Sequence, residues 1–85
     1  MNITEITEKL SSAGYCRNSC TRHDETTGYE IIDWSHRKTL TMFSIYREIS
    51  GNVPYVERTD IKFDRQLQRR VPVVKTIYRV KDLLA

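Results

Sequence analysis

The sequence predicts an α+β domain: one N-terminal helix packed on an antiparallel sheet of four or five strands. Three observations carry this expectation. Ile3, Ile6, Leu10 and Ala13 recur at helical spacing near the start. From Tyr15 onward the chain becomes rich in Thr, Ile, Val, Tyr and Phe, in runs separated by glycine-marked turns. Leu, Ile, Val and Phe make up 21 of 85 residues, above the level of about 20% below which chains stay disordered. The length allows one small domain over residues 1–85.

The helix is expected over about 4–13. Asn2 or Thr4 is placed to accept its first amides. Glu5 and Glu8 sit near the positive end of its dipole, and Gly14 supplies a left-handed close. A first strand is expected from Tyr15 to His23. Asp24-Glu25-Thr26-Thr27-Gly28 marks a turn, and Tyr29–Ser35 the returning strand. With a five-residue loop, Glu30 opposes Arg22 and His36 opposes Cys16. That register puts Cys16, Cys20, Ile32, Trp34 and His36 on one face, with Arg17, Ser19, Thr21, Asp33 and Ser35 on the other.

His36-Arg37-Lys38 reads as a short turn and Thr39–Ile49 as a long strand. Ser50-Gly51-Asn52-Val53-Pro54 is the strongest turn signal in the chain. Tyr55–Phe63 then alternates, with Tyr55, Thr59, Ile61 and Phe63 on one face and Val56, Arg58, Asp60 and Lys62 on the other. Residues 64–70 are polar and ambiguous. The C-terminal segment holds a conflict. Val73, Ile77, Val80 and Leu84 form a helical stripe behind Pro72, yet the β-branched run from Val73 to Val80 favours strand. A strand over about 73–81 is the preferred reading.

Composition removes several function classes. No apolar run of about 18 residues exists, so no membrane partner is expected. The first five residues lack the basic start and apolar run of a secretory signal. Two cysteines without that signal read as reduced thiols of a cytoplasmic protein. No nucleophile elbow or phosphate loop is present, and no cofactor is expected.

Every cysteine and histidine falls between Cys16 and His36, as Cys16, Cys20, His23 and His36. Two thiols and two imidazoles have the chemistry of a tetrahedral zinc site. The strand reading puts His23 on the opposite face from the other three, so the preferred expectation is thiols buried beside Ile32 and Trp34. His23 and His36 also lie near arginine and lysine, as a general base acting on RNA would need. A helix ending in Leu10, Gly14 and Tyr15, followed by a histidine on a sheet, faintly resembles small bacterial ribonuclease toxins with a double-stranded-RNA-binding-type fold. The resemblance covers under half the chain, contains no specific motif, and residues 47–70 depart from it. It implies an alternative function as a ribonuclease using His23 or His36.

Charge supplies the main functional clue. The net charge is +3, but residues 1–42 carry five basic and six acidic groups, while residues 43–85 carry nine and five. The excess sits at Arg65, Arg69, Arg70, Lys75, Arg79 and Lys81. If the C-terminal segment is a strand, Lys75, Arg79 and Lys81 form a ladder beside Ile77. Tyr55 and Tyr78, with Tyr46, then offer stacking surfaces next to it. A solvated edge strand guarded by cations is the plainer reading of the same residues. These observations lead to a small non-enzymatic regulatory or inhibitory protein; a protein of this kind could belong to a phage or other mobile element, which no residue of the sequence shows. It is expected to dock through its basic half on a protein, a protein–nucleic acid complex or nucleic acid directly. A core this small rarely supplies more than about 3–5 kcal/mol, which leaves room for a homodimer.

Overall fold

Asn2 starts the helix. In the computed structural model, which describes residues 1–85, its side-chain oxygen accepts the amides of Thr4 at 2.8 Å and Glu5 at 3.4 Å. Helix α1 runs Ile3–Ser12, one residue earlier than expected because Asn2, and not Thr4, is the cap. It closes on Gly14 at φ +92°. The Tyr15 amide reaches back to the Leu10 carbonyl and the Gly14 amide to Ser11, which satisfies the carbonyls a helix end leaves free.

Five strands follow: β1 Cys16–His23, β2 Glu30–Ser35, β3 Thr41–Arg47, β4 Tyr55–Asp64 and β5 Arg69–Ile77, with a short 3₁₀ turn at Val80–Asp82. They form one antiparallel sheet in sequence order, as short turns between consecutive strands favour. Helix α1 covers one face. Ile6 and Leu10 enter a core with Ile32, Trp34, Phe43, Ile45, Val53, Val56, Ile77 and Leu83. The alternation expected along β4 holds, and Val56 is the residue that turns its face toward the helix.

The first hairpin departs from the expected register. The Asp24 amide bonds to the Tyr29 carbonyl, and the Asp24 carboxylate takes the Thr26 amide and the Thr27 hydroxyl. The loop therefore closes on Asp24 and Tyr29, and the strands pair as His23↔Glu30 and Arg22↔Ile31. A bulge between Arg17 and Thr21 shifts the far end to Cys16↔Ser35. A one-residue slip exchanges the faces of a strand. So Cys16 lies on the face away from the helix, and both free cysteines are exposed; the expected burial of the thiols beside Ile32 and Trp34 is overturned. Arg22 bonds to Asp33, not Glu30, and Glu30 pairs instead with Arg47 on the helix side.

The C-terminal conflict resolves into two pieces. Asp64 accepts the amides of Gln66 and Leu67, Gln68 takes φ +53°, and the chain turns tightly enough for β5 to begin at Arg69. Strand β5 ends at Ile77, and Val80 and Leu83 fold back onto the core. The expected strand thus starts four residues earlier and stops four residues sooner than placed. Pro72 fits because β5 is an edge strand.

Strand β3 pairs with β4 only as far as Thr41↔Asp60. Beyond it, Ile61↔Pro72, Lys62↔Val71, Phe63↔Arg70 and Asp64↔Arg69 pair only with each other. At about 3.3 Å per residue this ribbon projects about 13 Å past the sheet before its turn. The molecule measures 43 × 31 × 24 Å, and the ribbon is here called the arm.

Candidate functional site

The arm concentrates the basic charge of the chain. Residues 61–72 carry Lys62, Arg65, Arg69 and Arg70 against one carboxylate, Asp64, a net of +3; the remaining residues carry ten cations and ten carboxylates, a net of zero. None of these four cations takes part in a salt bridge; the four salt bridges of the molecule involve Arg22, Arg47, Arg58 and Arg79. Asp64 is spent on the turn: its oxygen accepts two backbone amides in place of pairing with Arg69 across the ribbon.

Local geometry places the charges. Successive strand residues point to opposite faces, so Arg69 and Arg70 leave the ribbon on opposite sides. Arg69 and Lys62 share the side that continues the helix-covered face; Arg70 lies with Phe63 on the other. Arg65, Gln66 and Leu67 occupy the apex, all exposed. The Gln68 side chain donates through Nε2 to the Arg65 carbonyl at 2.7 Å and braces the turn. Phe63 and Leu67 are 58% and 54% exposed, so apolar surface lies among the cations.

Three of the expected site residues group at the arm's end and the others do not. Arg65, Arg69 and Arg70 cluster there. Lys75 lies at the arm's base on the Ile77 face, opposite Arg58. Arg79 follows β5 and bonds to Asp82 at 3.2 Å, and Lys81 sits in the 3₁₀ turn. The expected ladder of Lys75, Arg79 and Lys81 is overturned because β5 stops at Ile77. Tyr55 and Tyr78 form an edge-to-face pair at 6.5 Å, and Tyr46 stacks on Tyr55 at 4.7 Å. They stand at the opposite end of β4 from Arg65, about 30 Å along the strand. Burial and then the nearby Glu57 carboxylate raise the hydroxyl pKa of both Tyr46 and Tyr55 above the ordinary value. This surrounding is acidic, unlike the arm.

Lys62 was not among the expected site residues. Its signal was available in the sequence: it lies two residues before the turn, on the strand facing Arg69 and Arg70.

All four salt bridges of the molecule lie outside the arm, although Lys9, Arg17, Arg37, Lys38 and Lys81 also have no carboxylate partner. Arg22 donates two hydrogen bonds to Asp33, at 2.7 and 2.9 Å, and Ser44 donates a third at 2.7 Å. The Arg22 bond, opposed by burial and helped by Ser44, holds the Asp33 carboxyl below its usual range. The Thr41 hydroxyl, with Arg58 beside it, does the same for Asp60. Arg58 lies over the Phe43 ring and donates to the Leu83 carbonyl.

The histidines stand at opposite ends of the β1–β2 hairpin. His23 faces Glu30 at the loop end. His36 follows β2, stacks edge-on against Tyr15 at 5.1 Å, and accepts the Lys38 amide through Nδ1. No three His, Cys, Asp or Glu side chains converge in metal-binding geometry. No helix is long and apolar enough to cross a membrane. Comparison with protein families, with curated proteins and with solved structures returns no match.

Proposed function

We propose that this protein is a non-enzymatic regulatory binding protein whose β4–β5 arm docks on nucleic acid, either free or as the nucleic-acid part of a larger complex. One observation carries the reading: four unpaired cations, Lys62, Arg65, Arg69 and Arg70, lie within nine consecutive residues on a projecting hairpin, while the rest of the chain is neutral. A folded protein has no internal need for such an arrangement. Unpaired like charges repel one another, and a net charge of one sign gathered on one projection attracts a polyanion. Arginine suits phosphate because its planar fork bonds two oxygens at once. Binding of this kind occludes or bridges its target and needs no catalytic group.

The test is fluorescence anisotropy with labelled mixed-sequence oligonucleotides at low ionic strength. The wild-type protein is expected to bind, and the triple variant R65A/R69A/R70A to lose at least about tenfold in affinity. Absence of binding by the wild-type protein at low salt contradicts the reading.

A further inference from the structure

The distribution of cations around the arm says more than their number. A partner with one flat anionic surface needs positive charge on one face of a ribbon. Here Lys62 and Arg69 lie on one face and Arg70 on the other, with Arg65 at the apex between them. Charge on both faces of a two-stranded ribbon matches a slot with two anionic walls. We infer that the arm enters the major groove of duplex DNA, with Lys62 and Arg69 toward one phosphate wall, Arg70 toward the other, and Arg65, Gln66 and Leu67 at the base edges. This inference rests on the nucleic-acid reading above and names its substrate class.

Dimensions support the assignment. The B-form major groove is about 12 Å wide and about 8.5 Å deep and admits a two-stranded ribbon. The arm extends about 13 Å beyond the sheet, so its apex reaches the groove floor while the body stays outside. The major groove of an A-form RNA duplex is too deep and narrow for side chains to read, and the B-form minor groove, at about 6 Å, is narrower than the ribbon with its side chains. The apex chemistry fits base edges: arginine matches guanine, glutamine matches adenine, and an apolar side chain meets the thymine methyl. Single-stranded nucleic acid is bound on aromatic platforms beside cations. The arm offers only one such ring, Phe63, and the tyrosine cluster is at the far end of β4, next to Glu57.

Two measurements with the full-length protein decide the matter. In competition among a 30-base-pair DNA duplex, its single strand and an RNA duplex of the same sequence, the DNA duplex is expected to win by about tenfold or more. The single variants Arg69→Glu and Arg70→Glu, on opposite faces, are each expected to weaken duplex binding at least about fivefold. Equal or tighter binding of the single strand or the RNA duplex overturns the groove assignment and leaves the nucleic-acid reading standing. So does a silent result for one of the two variants, which would reveal a one-faced contact. If none of the three nucleic acids binds, the nucleic-acid reading itself fails, and an acidic protein surface becomes the target to pursue.

Discussion

The body holds every ion pair of the molecule and the arm holds none. In the body, Arg22, Arg47 and Arg58 each face a carboxylate, and Asp33 and Ser44 are buried yet fully hydrogen-bonded. On the arm, four cations have no carboxylate partner and Phe63 and Leu67 stand open to water. Buried polar groups must be satisfied internally because leaving one unmade costs about 1–3 kcal/mol. Exposed groups carry no such requirement, so their placement is free to serve a partner. The difference separates residues that make the fold from the residues proposed to act.

The largest expected effect falls in the body. Phe43 is fully buried, packs edge-on against Tyr15 and lies under Arg58. Phe43→Ala should cost about 3–5 kcal/mol, read as a lowered urea midpoint. Phe63→Ala, the same change on the arm, should stay within about 0.5 kcal/mol. Similar costs at the two sites would break the distinction.

Next is the Asp33 cluster. Asp33→Ala removes a carboxylate that takes three hydrogen bonds and leaves the Ser44 hydroxyl buried without an acceptor, a loss of about 2 kcal/mol. The same group sets a pH dependence. Its folded pKa is depressed, so its contribution is fully present above the unfolded value of about 3.9. It is lost as pH falls through the lower folded value. Acid unfolding curves should therefore steepen below about pH 4, and Asp33→Asn should flatten them.

A smaller effect is expected at Gly14, where φ is +92° and an added Cβ would lie 2.7 Å from His36 Nε2. Gly14→Ala should destabilise by about 1–2 kcal/mol, and combining it with His36→Ala should recover the steric part of that loss. The smallest stability change belongs to R65A/R69A/R70A, within about 0.5 kcal/mol in the same urea assay.

Much of the fold was legible because it depends on local signals. The stripe Ile6 and Leu10, the cap at Asn2 and the close at Gly14 are encoded within a few residues. The strand order follows from short turns. The register of the first hairpin was not legible, because the loop closes on Asp24 and Tyr29, which sets His23 against Glu30, and a bulge before Thr21 shifts the pairing again, each moving side chains between faces. The fate of Cys16 and Cys20 hung on that register. The C-terminal stripe misled because Ile77 serves a strand while Val80 and Leu83 serve the turn after it, so one periodicity spans two conformations. The cluster at Arg65, Arg69 and Arg70 was visible as a charge asymmetry. Its projection was not, since the arm exists only because β3 ends at Thr41, short of its partner strand. Tyr55 and Tyr78 were expected beside a ladder of Lys75, Arg79 and Lys81, which does not form because β5 stops at Ile77.

The most direct measurement is the salt dependence of duplex DNA binding by the wild-type protein and by R65A/R69A/R70A. Each phosphate neutralised contributes about 0.9 to the slope of log affinity against log salt concentration. The triple variant is expected to keep its urea midpoint and lose about 2–3 from that slope. An unchanged slope and affinity in a folded triple variant would contradict the assignment of binding to the arm.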